Sequence, residues 1–289
     1  MEDLRDKVAV ITGGGSGIGF AIARAFAAQG GRVVLADIDD AALAQAAATL
    51  IASGAEVLTV HTDVSVLAEV EALAAAARER FGHVDLVVNN AGVIAWNSVS
   101  RLTIEDWRWV VGVNLWGVIH GVHVFLPIFE AQGTPAHFVN VSSVGGVLAE
   151  TPFMATYGAT KSAVVGLSLA LDSELRLGGS PIGVSILCPS NTASTYVLDA
   201  ERNRPADAPV VARAPGVDQL VAAVRDVVDH GQPVDVLAAR VLDAVKANRL
   251  WVFPHPDSQP MIQARLDLLG SVVAEAGAQT IDGEGAPSS

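Results

Sequence analysis

The sequence is poor in cysteine and in charged residues. Cys188 is the only cysteine among 289 residues, which excludes an intrachain disulfide and a metal site built from several cysteines. Its place in the apolar run of residues 184–188 predicts a small buried side chain rather than a nucleophile. Charged residues make up 17% and apolar residues 51% of the chain, so a large core can form and the composition is not that of a disordered protein.

Positive charge is especially scarce. The chain carries 18 Lys and Arg against 31 Asp and Glu, a formal net charge of −13. Such a surface repels phosphate backbones and anionic lipid headgroups. We therefore expect no nucleic-acid partner.

One long segment has no charged side chain at all. Residues 109–129 are long enough to span a bilayer. Their polar Asn114, His120 and His123, together with Pro127, weaken insertion, and no cluster of Lys or Arg flanks them. A helix in a protein core or at a subunit interface is the favoured interpretation, and no membrane insertion is expected.

The first seven residues are mostly charged and lead directly into a strand-like run, unlike a secretory signal. The sequence therefore predicts a cytoplasmic protein.

Short β-rich runs alternate with helix-length stretches along most of the chain. The runs are almost continuously apolar, as in strands buried on both faces of a parallel sheet. They span residues 7–12, 32–37, 55–61, 84–89, 136–141 and 182–188. This order predicts an α/β fold with a Rossmann-like, doubly wound parallel sheet in three layers, α/β/α, whose ligands bind at the carboxyl ends of the strands.

The chain shows no linker before residue 190, which favours a single domain over residues 1–277. Residues 193–232 interrupt the alternation and predict a mobile, partly apolar insertion that covers the substrate, with Tyr196, Val197, Leu198, Val210 and Val211 as its apolar residues. Residues 278–289 are expected to be a disordered tail.

A glycine-rich turn, Gly13-Gly14-Gly15-Ser16-Gly17-Ile18-Gly19, follows the first strand and opens a helix. Glycines at such a turn let a pyrophosphate approach the backbone and the free N–H groups of the helix. The strict G-x-G-x-x-G spacing is absent, so an ordinary flexible loop remains an alternative on this motif alone.

Asp37 ends the second strand about twenty residues after the glycines. A carboxylate there can accept hydrogen bonds from both hydroxyls of an adenosine ribose, which favours NAD. It would repel the 2′-phosphate of NADP, and neither Ser16 nor Ile38 offers a cation to neutralise it. The alternative is that Asp37 only caps the helix that begins near Asp39.

Tyr157 and Lys161 are four residues apart at the start of an apolar helical run and share one helix face. A nearby ammonium lowers the pKa of a tyrosine from its free value of about 10, which prepares the phenol for proton transfer. An exposed amphipathic pair is the alternative.

Five motifs together resemble the short-chain dehydrogenase/reductase family over residues 5–190, and more loosely to residue 256. They are Thr12-Gly-x-x-x-Gly-x-Gly19, Asn89-Asn90-Ala91-Gly92, Val113-Asn114-Leu115, Ser142-Ser143 and Tyr157-x-x-x-Lys161.

The resemblance implies a catalytic tetrad of Asn114, Ser143, Tyr157 and Lys161. Tyr157 would exchange the proton, Ser143 would bind the substrate oxygen, and Lys161 would hold the nicotinamide ribose and lower the pKa of Tyr157. Asn114 would position a water that leads protons from Lys161 to solvent, and its alternative is a side chain bonded to its own helix backbone. Ser142 is the alternative to Ser143.

The resemblance also implies which residues bind the cofactor. They are Gly13, Ser16, Gly17, Ile18, Gly19, Asp37, Ile38, Asp63, Val64, Asn90, Ala91, Gly92, Tyr157, Lys161, Pro189 and Thr192. Ser190 departs from the glycine that the family commonly has after Pro189, and its Cβ restricts the conformations of this loop near the carboxamide.

Seven histidines raise the possibility of a metal site, but only His120 and His123 have helical ligand spacing. No third Asp, Glu or His lies near them in sequence, so we expect no catalytic metal.

These observations predict an NAD-dependent oxidoreductase that interconverts a small hydrophobic secondary alcohol and a ketone. The family and the uncharged helix of residues 109–129 together imply a homotetramer. A dehydratase or epimerase on the same fold and a non-catalytic NAD-binding sensor remain alternatives.

Overall fold

A computed structural model describes residues 1–148, 150–194 and 198–281. Seven parallel strands form the central sheet, in the order β3-β2-β1-β4-β5-β6-β9, and β7 pairs with β8 in a separate parallel ribbon. The strands are β1 (Val8–Thr12), β2 (Arg32–Asp37), β3 (Val57–His61), β4 (Leu86–Asn89), β5 (Ala136–Val141), β6 (Ile182–Leu187), β7 (Thr192–Ala193), β8 (Gln232–Pro233) and β9 (Trp251–Val252). The prediction of a doubly wound parallel sheet is confirmed.

Helices cover both faces of the sheet. The α-helices are α1 (Gly17–Ala27), α2 (Asp40–Ala52), α3 (Leu67–Phe81), α4 (Ile104–Val111), α5 (Gly117–Gln132), α6 (Val144–Leu148), α7 (Ala155–Leu177), α8 (Val217–Asp229), α9 (Val234–Lys246) and α10 (Ser258–Ile281). Buried residues of α1, α2 and α9 form one core with the sheet, and those of α3, α5 and α7 form the other. The predicted three layers are therefore present in a single domain.

The strands are apolar because both of their faces are covered. Every residue of β1, β4, β5 and β6 is buried. Six strands were predicted with their ends within two residues, whereas β9 was missed. It is only two residues long, inside the short apolar run of residues 250–253, and its Trp251 is partly exposed, so the run did not stand out as a strand.

The uncharged segment lies in a continuous helical run, Ile104–Gln132, which is long and apolar enough to cross a membrane by length and composition. Here it packs on the sheet through Val122, Phe125 and Phe129, as a core helix does. A π-helical turn, Gly112–Trp116, interrupts the run between α4 and α5.

The predicted insertion contains β7, a 3-10 turn (Ala200–Asn203), α8 and β8. The pairing of β7 with β8 brings both ends of the insertion together. At the other end of the chain, α10 continues to Ile281, four residues into the segment expected to be a tail; residues 282–289 lie outside the described residues.

Candidate active site

The glycine-rich turn connects β1 to α1 with backbone conformations that other residues rarely adopt. Gly13 and Gly17 have φ angles of +61° and +54°. A Cβ on Gly19 would lie 2.3 Å from the carbonyl oxygen of Gly13, so only glycine allows this close approach. The turn leaves the first N–H groups of α1 at the carboxyl end of the sheet, as an anion-binding turn requires.

The loop after β4 is held against this turn. The Asn90 side chain donates to the carbonyl oxygens of Thr12 (2.9 Å) and Gly13 (3.1 Å). In return, the Thr12 hydroxyl accepts hydrogen bonds from the backbone N–H groups of Asn90 and Ala91. These bonds fix two neighbouring strand ends as one surface.

Asp37 orients its carboxylate through the backbone. One oxygen accepts from the N–H of Gly15 (3.0 Å) and the other from the N–H of Asp39 (3.1 Å). Asp39 caps α2 by accepting from the N–H of Ala42, so the cap that was the alternative role of Asp37 belongs to Asp39. Each oxygen of Asp37 keeps a lone pair for a ligand hydroxyl.

Tyr157 and Lys161 lie one turn apart near the start of α7. Lys161 is only 3% exposed and its ammonium donates to the carbonyl oxygen of Val141 (2.8 Å). The Tyr157 hydroxyl lies within hydrogen-bonding reach of Ser143. The alternative of an exposed amphipathic pair is therefore wrong for Lys161.

The two serines after β5, Ser142 and Ser143, contact different groups. Ser142 is buried and donates to the carbonyl oxygen of Lys161 (2.8 Å), which ties β5 to α7. The Ser143 hydroxyl accepts from the N–H of Gly145 (3.1 Å) and faces Tyr157. This geometry makes Ser143 the serine that can share a substrate oxygen with Tyr157.

Burial changes the pKa of both residues of the pair. It lowers the pKa of Lys161 to about 8, because the ammonium loses its hydration. It raises the pKa of Tyr157 above its ordinary value, and the hydrogen bond with Ser143 opposes this rise. The lowered tyrosine pKa expected from the sequence differs from this result because desolvation of the phenolate outweighs the protein groups around it.

Asn114 lies in the π-helical turn and is fully buried. Its carbonyl oxygen accepts from the N–H of Val93 (2.8 Å), and its amide donates to the carbonyl oxygen of Val93 (2.9 Å) and the hydroxyl of Thr160. The alternative, an Asn bonded to its own helix backbone, is wrong. Asn114 instead joins the loop after β4 to α7, and π-helical turns often occur at functional sites.

The elements surround one cavity of about 670 Å³ at the carboxyl ends of the strands. All the predicted cofactor-binding residues except Gly19 line it, and so does Ser143. Gly19 lies behind the turn and Asn114 behind the loop after β4. The cavity also has lining residues that the sequence did not single out, among them Val93, Arg108, Trp109, Val113, Ser194, Arg202, Asn203, Pro205 and Val228.

The insertion contributes to the wall of this cavity, but through other residues than the sequence predicted. Leu198 is buried, but Val210 and Val211 are 93% and 38% exposed and do not line the cavity. Tyr196 and Val197 lie outside the described residues. The residues of the insertion that line the cavity are Ser194, Arg202, Asn203, Pro205 and Val228. Val228 on α8 belongs to the same apolar cluster as Trp109 on α4.

An ion pair joins the insertion to α4. The guanidinium of Arg204 lies 2.6 Å from the Asp106 carboxylate, which is almost completely buried. Asp106 also accepts from the N–H and hydroxyl of Thr103 in a capping box at the start of α4. The 3-10 turn is therefore fixed to α4, which also lines the cavity.

The loop after β6 accommodates Ser190 without strain, because Ser190 does not have a positive φ angle. The restriction expected from replacing a glycine therefore does not apply in this chain. Cys188 directly follows β6 and is buried, as predicted, and burial raises its pKa to about 12.

The shape of the cavity fits a dinucleotide. Asp37 at the end of β2 and Thr192 beyond β6 are separated by four strand spacings, roughly 19 Å at about 4.8 Å per spacing. The glycine turn lies between them, at the position where a pyrophosphate would join the two halves of such a ligand. A parallel sheet with a cavity at this end is typical of nucleotide-binding α/β proteins.

Comparison with known proteins identifies the family. The short chain dehydrogenase family model matches residues 7–205, so the chain belongs to the short-chain dehydrogenase/reductase family and is an oxidoreductase. A short-chain dehydrogenase/reductase from Burkholderia phymatum, solved in complex with NAD, is 41% identical, with a TM-score of 0.90 over 93% of this chain and 96% of that chain.

Two named enzymes are similar over nearly the whole length. The CLA biosynthesis dehydrogenase/reductase of Lactiplantibacillus plantarum is 34% identical over 92% of this chain and 94% of its own. The 1-deoxy-11-beta-hydroxypentalenate dehydrogenase of Streptomyces exfoliatus is 32% identical over 91% of this chain and 88% of its own.

Proposed function

We propose that this protein is an NAD-dependent dehydrogenase that interconverts a secondary alcohol and a ketone. The observation that carries the proposal is the meeting of Ser143, Tyr157 and buried Lys161 in the cavity that also contains the glycine turn and Asp37. These groups can bind a carbonyl or hydroxyl oxygen and move its proton. The bound NAD would supply the site that accepts or returns the hydride.

Tyr157 is the proposed general acid and base. Its hydroxyl and that of Ser143 are close enough to bind one substrate oxygen together, which stabilises charge on that oxygen. During oxidation the Tyr157 phenolate takes the hydroxyl proton of the alcohol, and during reduction the phenol returns it. The ammonium of Lys161 stabilises the phenolate and holds the ribose next to the nicotinamide.

Asn114 is the proposed route by which the proton leaves. Its side chain connects the loop after β4 to α7 beside Lys161. This connection supports a water between Asn114 and Lys161 that passes the proton to solvent.

Asp37 supports NAD rather than NADP. Its hydrogen-bond donors in the described structure are backbone N–H groups, so the carboxylate keeps its charge available to ribose hydroxyls. A 2′-phosphate would meet that charge at short range. The NAD complex of the similar Burkholderia phymatum protein agrees with this choice.

The substrate is proposed to be a small hydrophobic molecule with one reacting oxygen. Val93, Trp109, Val113 and Val228 give the outer part of the cavity its apolar walls. One of the similar proteins is named for its action on a hydroxypentalenate, which supports a substrate with a hydroxyl group on an apolar skeleton.

We further propose a cytoplasmic homotetramer, as the family implies. Trp116 is half exposed on the helical run Ile104–Gln132, and Leu169 and Leu177 are exposed on α7. Large apolar side chains on neighbouring helices support an interface between copies.

A panel of secondary alcohols incubated with NAD tests the function through the absorbance of the reduced cofactor. Oxidation of at least one hydrophobic alcohol to a ketone, and none by Tyr157→Phe, is the expected result. Product analysis separates the alternatives, because an epimerase or dehydratase returns an alcohol of inverted configuration or an alkene without net reduced cofactor. Binding of NAD with no turnover of any class would favour a sensor.

A further inference from the structure

His255 is a buried histidine that contacts the loop after β6. It lies beyond β9 and is 3% exposed. Its Nδ1 accepts a hydrogen bond from the N–H of Ser190 (3.1 Å), and its Nε2 lies 3.2 Å from the hydroxyl oxygen of Thr192. One ring thus contacts two residues of the loop that borders the cavity.

These contacts determine the tautomer of the ring. Because Nδ1 accepts from a backbone N–H, the neutral ring carries its hydrogen on Nε2. The Nε2–H therefore donates to the hydroxyl oxygen of Thr192. Burial lowers the pKa of His255, so the neutral ring persists at neutral pH.

The Thr192 hydroxyl is thereby oriented. Its own hydrogen is donated to the carbonyl oxygen of Ser190 (3.3 Å), and one of its lone pairs accepts from His255. One lone pair remains, and Thr192 lines the cavity together with Lys161 and Pro189. A ligand in the cavity meets Thr192 as a hydrogen-bond acceptor.

The main chain around His255 is held in place. The Ser258 hydroxyl donates to the carbonyl oxygen of His255 (2.6 Å), and the guanidinium of Arg240 on α9 donates to the carbonyl oxygen of Pro254. The ring therefore acts from a fixed position rather than from a loose segment.

We propose that His255 is a positioning residue that fixes the Thr192 hydroxyl as an acceptor for a carboxamide N–H of the nicotinamide. The inference rests on the proposed NAD-dependent function. Asp37, four strands away, selects the adenosine end of the cofactor, which leaves the amide end for Thr192. The contact would select a primary amide, which has N–H donors, over a group that offers only a carbonyl oxygen.

The test compares the binding of NAD with that of its acetylpyridine analogue, in which a methyl ketone replaces the carboxamide. Dissociation constants are measured without substrate, by calorimetry or by quenching of tryptophan fluorescence. The wild-type protein is expected to bind NAD about fivefold more tightly than the analogue, the value of one hydrogen bond. His255→Ala should reduce this ratio to about twofold or less, because the Thr192 hydroxyl is then free to turn.

Two further variants separate positioning from folding. The amide of Gln reaches the place of Nε2 and can donate to Thr192, so His255→Gln should keep the wild-type ratio. The amide of Asn reaches only the place of Nδ1, so His255→Asn should reduce the preference for NAD as His255→Ala does. This variant replaces His255→Ala in the test if the Ala variant does not fold. Thr192→Val should bring the ratio of the two dissociation constants close to one, whether or not His255 is present. His230→Gln changes an exposed histidine and should leave the ratio at its wild-type value.

The outcomes separate this inference from the proposed function. If His255→Asn keeps the wild-type ratio of the two dissociation constants, even while it weakens the binding of both dinucleotides, His255 has only a structural role and the inference is wrong. If the wild-type protein binds neither dinucleotide, the proposed function fails and this inference fails with it. A ratio that falls in His255→Asn and is restored in His255→Gln supports it.

Discussion

The ammonium nitrogen of Lys161 lies 5.6 Å from the centre of the Tyr157 ring, and both side chains lie in the cavity at the end of the sheet. A positive charge at this distance favours a phenolate by Coulomb attraction, whereas burial raises the pKa of Tyr157 and lowers that of Lys161, and so opposes charge on both groups. In the proposed mechanism the phenol of Tyr157 therefore keeps its proton until further positive charge enters the cavity.

The pH dependence of alcohol oxidation should report this pair. In the proposed mechanism the active base is the phenolate of Tyr157, so activity should rise as the pH passes the pKa of the phenol. Removing the nearby charge in Lys161→Met should move the rising limb to higher pH by about one unit or more. The profiles are compared at saturating NAD, because the variant also loses a ribose contact.

Lys246→Met, which removes a lysine near the end of α9 outside the cavity, should leave the profile unchanged. Tyr157→Phe should lower turnover about 10²- to 10⁴-fold at every pH while the protein stays folded. An unmoved limb in Lys161→Met, or substantial turnover in Tyr157→Phe, would show that another group carries the proton.

The charged side chain of Lys161 should lower the free energy of unfolding relative to an uncharged side chain at the same position. Its pKa is lowered from 10.5 to about 8, so the fold disfavours the charged side chain. The unfolded chain binds the proton more tightly, and the destabilisation is fully present below pH 8. Lys161→Met should therefore raise the free energy of unfolding at pH 7 by about 1–3 kcal/mol, after the loss of the bond to Val141 is included.

Urea unfolding without cofactor measures this difference. The difference in free energy of unfolding between the variant and the wild-type protein should shrink as the pH rises from about 8 towards 10. A Lys161→Met variant that is less stable than the wild type at pH 7 would contradict the conclusion that the fold disfavours the charged form of Lys161. A difference in stability that does not change with pH would contradict it as well.

Cofactor choice should depend on the charge of Asp37. We expect NADP to bind at least about tenfold more weakly than NAD, because its phosphate meets the carboxylate. Asp37→Asn keeps an oxygen for the N–H of Gly15 and removes the charge, so it should narrow the difference. Asp40→Asn removes an exposed charge nearby that does not line the cavity, and it should have little effect. Equal affinities for both dinucleotides in the wild-type protein would refute this role.

Assembly should depend on the exposed face of the run Ile104–Gln132. Light scattering at micromolar concentration should give a particle about four times the 29.8 kDa mass of one chain. Trp116→Arg places a charge on the proposed interface and should shift the particle to smaller species. Ile51→Arg does the same at an exposed site on α2, on the opposite layer, and should leave the assembly intact. A monomer in the wild-type protein would rule out the tetramer.

The sequence by itself determined the sheet and the order of the motifs along it. Continuous apolar runs are visible because both faces of a parallel strand are buried, and the turn after β1 needs glycine because other residues would clash with the Gly13 carbonyl. Asp37 and the Tyr157–Lys161 spacing are local patterns of the same kind. Each of these features is set by residues close in sequence.

Tertiary structure alone decided the contacts between distant segments. His255 meets Thr192 across 63 residues, Asn114 bonds Val93 rather than its own helix, and Arg202 reaches the cavity from the insertion. It also decided the charges, since the pKa of Lys161 falls only when the packed chain removes its water. Local patterns carry no record of which distant residue completes a hydrogen bond or how deeply a side chain is buried, because both depend on the packing of the whole chain.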